Sequence, residues 1–304
     1  MKKHVMKTLL VLCMSLGIGA FAGVSGAAAQ RLEGCEAEIT ADSAWLIQHD
    51  PHGSALNTFP FELKIFNRGS GDCNGRIRVT STSTQPYLVS AENGQRVRYS
   101  LRDERITRDV TPPESPANPI AATLRVREGQ LVANPYTVDV YPDQPLGAGR
   151  YIQYLTFEYI SPNAQRVLAT RTLPVIYEVR ASALIGLKGE YTRVGGMRTI
   201  NLGDLEDRDY SPRTVLTVDA TRGYILSVSS QNLGQLRHED PVWSIPYRLK
   251  LGGVSVDLSR RFELPRLSNK AVNDEYPLSF SVEGTANKRA GRYSDVLHFT
   301  VTTL

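Results

Sequence analysis

His49-Asp50-Pro51-His52 sets two imidazoles within one turn of each other, the only such cluster in the chain. Two histidines so spaced could form half of a metal site. A whole site needs more ligands, and neither an HExxH motif nor a second His/Cys cluster is present. Asp-Pro and His-Gly are turn formers, so the segment reads as a solvated turn. Adjacent acids at Asp103-Glu104, and the acidic run from Asp204 to Asp209, could act as glycosidase carboxylates only if the fold set two of them across a cleft; they read as exposed loops. No GxSxG elbow and no phosphate loop appears. Val194-Gly195-Gly196-Met197 is a tight turn, because it does not join a strand to a helix with the required glycines. Trp45, Tyr87, Trp243 and Tyr247 could stack on sugars, although aromatics in β-rich chains are mostly core. The expectation is a chain that is not an enzyme and uses no cofactor or metal.

The ends and the charge set the compartment. Lys2, Lys3 and Lys7 precede an apolar run, and Ala27-Ala28-Ala29 offers small residues for cleavage, so residues 1–29 read as a secretory signal peptide. No later run is apolar for long enough to cross a bilayer as a helix, so no membrane span is expected in the mature form. The formal net charge is +4, of which those three lysines carry three, leaving the exported part near neutrality. Charges of both signs are interspersed and no basic run tracks phosphates, so nucleic acid is not expected as a partner. Cys13 falls in the signal, which leaves Cys35 and Cys73 as an even pair in an exported chain, and they read as a disulfide.

The elements that position these residues are strands. FPFELKIFN (59–67) alternates, with Phe59, Phe61, Leu63 and Ile65 on one face. GRIRVTSTS (75–83) follows a Gly-rich turn, and PYTVDVYP (135–142) puts Tyr136, Val138 and Val140 on one face. RTVLTVDAT (213–221) and GYILSVSS (223–230) are expected to form a hairpin about Thr221-Arg222-Gly223. TPPESPANPI (111–120) is a Pro-rich loop that cannot be a central strand. Short strands between turns, with no sustained helical period, indicate an all-β chain of β-sandwiches with a boundary near 178–183; a β-barrel is the structural alternative.

AGRYIQYLTFEY (148–159) returns as AGRYSDVLHFTV (290–301), with six of twelve positions identical. In each copy a glycine makes the turn and a tyrosine opens a strand. Leu155, Phe157 and Tyr159 then face one way, as do Leu297, Phe299 and Val301. After the first copy comes VLATRTLPVIYEV (167–179), which is either the last strand of the first unit, the first strand of the second, or a connector. The second copy has no such run behind it in the sequence. A sandwich short of one strand exposes core and an unpaired edge, which a strand from a partner can fill.

From 179 to 304 the chain resembles the spore coat protein U domain of archaic chaperone–usher pili. The resemblance lies in VRASALIGLKG (179–189), INLGDL (200–205), the 213–230 segment, IPYRLKL (245–251) and the terminal Gly291-x-Tyr293-x-Asp295 turn with its alternating strand. The family's subunits usually carry cysteines in this domain; here there are none, which makes the relation distant. The resemblance implies an immunoglobulin-like sandwich lacking a strand, filled first by a periplasmic chaperone and then by a neighbouring pilus subunit delivered through an outer-membrane usher. Residues 30–34 ahead of Cys35 are too few for a donor strand of roughly ten residues. The layout expected is therefore a signal peptide (1–29), a disulfide-stapled contact domain (30–178) and a pilin-like acceptor domain (179–304), as in a two-domain tip adhesin. Tyr293, Leu297, Phe299 and Val301 would line the acceptor groove. Pro112, Pro113, Pro116, Pro119 and Ile120 would form a stiff contact loop toward a host or surface receptor. The chain would pass through the periplasm to the cell surface. A secreted carbohydrate-binding sandwich and a periplasmic pilus chaperone remain as other readings, the latter requiring a basic pair in the interdomain cleft.

Overall fold

Period-two alternation runs through nearly the whole chain, and a computed structural model realises it as strands alone. The structure describes residues 34–53, 57–112, 123–163 and 166–304, and these contain no α-helix. The expected signal peptide, and Pro113, Pro116, Pro119 and Ile120, lie outside the described residues.

The first strands are β1 (Ala37–Thr40), β2 (Trp45–His49), β3 (Thr58–Asn67), β4 (Cys73–Ser81), β5 (Tyr87–Ser90), β6 (Arg96–Asp103), β7 (Arg108–Asp109), β8 (Thr123–Val126), β9 (Leu131–Tyr141), β10 (Gly149–Ile160) and β11 (Val167–Val179). They form one sheet. On one side β1, β3, β9 and β6 lie in order, with β7 on β6; on the other β2, β11, β10, β4 and β8 do so. β5 joins the two by pairing with both β6 and β10, so the sheet curls over its own apolar face. That face is a single buried cluster in which Trp45 stacks on Phe61 at 4.8 Å and Tyr136 meets Phe157 edge-on at 5.6 Å. The Tyr159 hydroxyl reaches inside it to donate to the carbonyls of Cys73 and Leu124, and burial pushes its pKa up to about 12. A Cys35–Cys73 disulfide ties the start of β1 to β4.

The later strands are β12 (Ala183–Gly189), β13 (Thr192–Val194), β14 (Met197–Thr199), β15 (Arg208–Tyr210), β16 (Thr214–Ala220), β17 (Tyr224–Ser230), β18 (Gln235–His238), β19 (Ser244–Leu251), β20 (Val254–Val256), β21 (Phe262–Arg266), β22 (Val272–Val282), β23 (Tyr293–Ser294) and β24 (Leu297–Thr303). β12, β16, β22, β19, β18 and β23 pair in that order, with β20 on β19 and β15 on β22, while β21, β17 and β24 form a separate sheet. These sheets enclose a second buried cluster that shares no residue with the first.

The same pairing scheme is used twice. β1-β3-β9-β6 matches β12-β16-β22-β19, and β8-β4-β10 matches β21-β17-β24. β5, bridging β6 to β10, matches β18, bridging β19 to β23. The sequence repeat is one piece of a repeat that extends to whole sets of strands. β2 and β11 have no counterpart among the later strands.

One expectation fails. Residues 213–230 are not a hairpin: β16 pairs with β12 and β22, whereas β17 pairs with β21 and β24 in the facing sheet. The turn between them is a corner, because its polar groups are engaged elsewhere. The Thr221 hydroxyl donates to the Arg180 carbonyl and accepts from the Ser182 amide, and the Gly223 amide donates to the Ser268 carbonyl.

Candidate functional site

In both copies of the repeated phrase the glycine adopts a left-handed φ, +137° at Gly149 and +150° at Gly291. A Cβ on Gly291 would collide with the His238 ring, so glycine is required there. The following tyrosine closes the turn in the same way twice. The Tyr151 hydroxyl donates to the Gly147 carbonyl at 2.9 Å, and the Tyr293 hydroxyl to the Arg289 carbonyl at 2.8 Å, each four residues back. A tyrosine bonding back to upstream backbone at this corner is a feature of immunoglobulin-type sandwiches.

Beyond the tyrosine the copies diverge in burial. Leu155, Phe157 and Tyr159 have no exposed surface. Leu297, Phe299 and Val301, the aligned residues of β24, are only half-buried, although they pack on the second cluster. The cause is the neighbour. β11 pairs with β10 along its whole length, from Gly149↔Val179 to Ile160↔Val167, and plugs Leu173, Val175, Tyr177 and Val179 into the first cluster. β11 in turn pairs in parallel with β2, so both edges of β11 are paired.

β24 has β17 on one edge and, among the described residues, no strand on the other. Facing that free edge, and close to it, runs β12, itself paired only with β16. Its inward residues Ala183, Ile185 and Leu187 are likewise half-buried against the second cluster. Two unpaired edges and two alternating apolar rows thus lie beside the second cluster, where β24 lacks the neighbour that β11 gives β10 in the first. Unpaired edges and half-covered apolar side chains are a standing invitation to another strand.

The start of β24 is anchored by a polar cluster. The Asp295 carboxylate, immediately before β24, accepts from Ser230 Oγ (2.5 Å), the Asn232 amide (3.0 Å), Tyr247 Oη (2.6 Å) and the Val296 amide (2.8 Å). Burial pushes the Tyr247 phenol pKa up, and its bond to Asp295 pushes it further in the same direction. Of the expected groove residues, Leu297, Phe299 and Val301 share one face of β24, while Tyr293 stands on β23, its ring 5.0 Å from His238. The apolar row on β12 was not among the residues expected; its signal was the alternation in ALIGLKG (183–189).

The other expected sites carry less. Pro112 is buried, so it offers no contact surface; the remaining loop residues are outside the described region. In the HDPH segment Asp50 caps a turn by accepting from the His52 and Gly53 amides, and His49 packs against Tyr177 at 5.2 Å. Trp45 and Tyr247 are core residues. No group of three or more His, Cys, Asp or Glu among the described residues could hold a metal ion, and no helix among them is long and apolar enough to cross a membrane. A polar cleft of about 410 Å³ lies where the two strand sets meet, with Arg96 and Asp143 from the first and Lys270 from the second among its lining residues.

The chain is therefore an all-β protein in which one strand-pairing scheme occurs twice, once with β11 beside β10 and once with no equivalent of β11 among the described residues. No family model matches it, and no curated protein matches it. Among solved structures it is similar to a chain of the CsuC–CsuE chaperone–tip adhesion subunit pre-assembly complex from archaic Csu pili of Acinetobacter baumannii, at 9% identity over 86% of this chain and 99% of that one, with a TM-score of 0.43. It is also similar to the CupB6 tip adhesin of Pseudomonas aeruginosa (10% identity, 88% and 92% covered, TM-score 0.42) and to CfaE, the adhesive subunit of CFA/I fimbria of enterotoxigenic Escherichia coli (13%, 87% and 94%, 0.38).

Proposed function

We propose that the chain is an exported subunit of a chaperone–usher pilus, that residues 30–178 and 179–304 form tandem immunoglobulin-like domains, and that the second accepts an extended strand from a partner. The observation that carries this is the unpaired edge of β24, with half-buried apolar rows on β24 and β12, where the otherwise equivalent first strand set pairs β10 with β11; these rows would line the groove that the partner strand fills. A periplasmic chaperone would occupy the groove first and a neighbouring pilus subunit later. A self-completed domain ahead of an open one supports placement at the pilus tip, with the first domain carrying the receptor contact. The chaperone alternative meets a specific obstacle. The strand it would have to donate, β11, already buries its apolar residues in its own cluster.

β11 also supplies the test. A peptide with the sequence of residues 167–179 carries side chains that fit the closed copy of the groove. Added to the full chain, it should protect β12 and β24 from hydrogen exchange and raise the thermal transition of the second strand set. A control with serine at the positions of Leu173, Val175 and Tyr177 should do neither. The reading is wrong if β24 is already as protected as β10 in the free chain and the peptide changes nothing; a free-standing secreted binding module would then take its place.

A further inference from the structure

Beyond the end of β12 the chain makes a small hairpin, β13–β14, that belongs to no other sheet. Gly195 and Gly196 form its turn with φ of +56° and +82°, and a Cβ on either would meet nothing within 4 Å. The pairs Val194↔Met197 and Thr192↔Thr199 fall on one face, and Arg193↔Arg198 on the other. Val194 and Met197 are more than half exposed. Arg198 lies over the Tyr191 ring at 5.4 Å. Neither arginine forms an ion pair with a carboxylate among the described residues, and none of residues 191–202 is acidic.

Isolated two-stranded hairpins are marginal in water, and like charges directly opposite one another destabilise further. An acidic partner would turn that repulsion into attraction. The finger is too small to hold a folded partner alone, since stable interfaces bury about 800 Å² per side. It can act only on something already tethered beside it.

Ala183 and Thr303 both lie at the end of the groove formed by residues 221–223, where the Ala148 amide of the first strand set donates to the Thr221 carbonyl. The other end, marked by Gly189 and Leu297, therefore points away from the first strand set. The finger follows that end of β12 in the chain, with only Glu190 and Tyr191 between Gly189 and β13. A strand antiparallel to β24, as β11 is to β10, would leave the groove at that end C-terminus first.

Resting on the acceptor reading, we infer that the β13–β14 finger is a second contact for the strand that fills the groove, and that Arg193 and Arg198 select a partner with acidic residues just C-terminal to that strand. Tethering by the strand gives this weak contact a high effective concentration.

Two synthetic peptides test this, both with the groove-filling sequence of residues 167–179, one extended by Glu-Glu-Glu and the other by Lys-Lys-Lys at the C-terminus. Each is titrated into the full chain and into the Arg193→Ser/Arg198→Ser variant, whose changes lie outside both clusters. The acidic peptide should bind roughly three- to tenfold tighter at low salt. The preference should shrink at about 0.3 M salt, where screening is short-ranged, and vanish in the variant. Equal affinity of both peptides for the unaltered chain, or a preference that survives in the variant, overturns the inference and leaves the acceptor reading standing. Failure of both peptides to bind removes the acceptor reading and this inference with it.

Discussion

The same substitution made in the two copies of one strand measures how open the second copy is. Phe157 has no exposed surface and is enclosed by Trp45 and Tyr136 at 5.2 and 5.6 Å. Cutting such a phenylalanine to alanine costs about 3–5 kcal/mol, part of it transfer and part the cavity left behind. Phe299, its counterpart, packs on the second cluster from one side only. Its truncation leaves a notch open to water rather than a void, so about 2 kcal/mol is expected, half the transfer term with little cavity term. A difference of about 2 kcal/mol is roughly thirtyfold in a local opening equilibrium. Hydrogen exchange read by mass spectrometry reports β10 and β24 separately, which matters because two cores need not open together. Phe157→Ala should accelerate exchange in β4, β10 and β11, and Phe299→Ala should do so far less in β17 and β24. With the 167–179 peptide bound, Phe299→Ala should become the costlier change, seen as weaker peptide binding. Equal penalties for the two variants in the free chain would mean that β24 is already covered, and the argument from its half-burial would fail.

Removing the disulfide with Cys35→Ser/Cys73→Ser opens a 38-residue separation and should destabilise the first strand set by about 4 kcal/mol in the chain-entropy account, leaving the second transition in calorimetry unmoved. Asp295→Ala strands three donors besides the Val296 amide, so a loss of about 3 kcal/mol or more and faster exchange at the start of β24 are expected, with Asp295→Asn milder. His49 has its pKa held below 6.5, chiefly by burial, with Asp50 opposing that in part, and its Nδ1 is buried without a partner. Above pH 6.5 it is neutral folded or unfolded and contributes nothing; as pH falls below that value the unfolded chain takes up the proton first. Urea titrations should therefore show the first strand set losing stability below pH 6.5, and His49→Gln should flatten that part of the profile.

Much of this architecture could be read from alternation, because which face a side chain takes in a strand depends only on parity. FPFELKIFN and LPVIYEV declare their buried faces without any knowledge of their neighbours, and so does the terminal LHFTV. Partnership is different information. TVLTVDA and YILSVSS alternate well and stand three residues apart, yet they belong to facing sheets, since the hydroxyl of Thr221 and the amide of Gly223 are bound to the linker and to Ser268 rather than to a hairpin turn. The same gap explains why 167–179 could be assigned to either strand set until its register with β10 was known. The groove sits between these two kinds of information. One wall, on β24, was legible as a repeat of β10. The other wall, on β12, was not, because a strand that lacks a neighbour has the same alternation as one that has it. What distinguishes the open copy is the depth of burial at equivalent positions, none exposed at Leu155 and Phe157 against half-buried at Leu297 and Phe299. Depth of burial depends on every strand around a residue, including one that another molecule would have to bring.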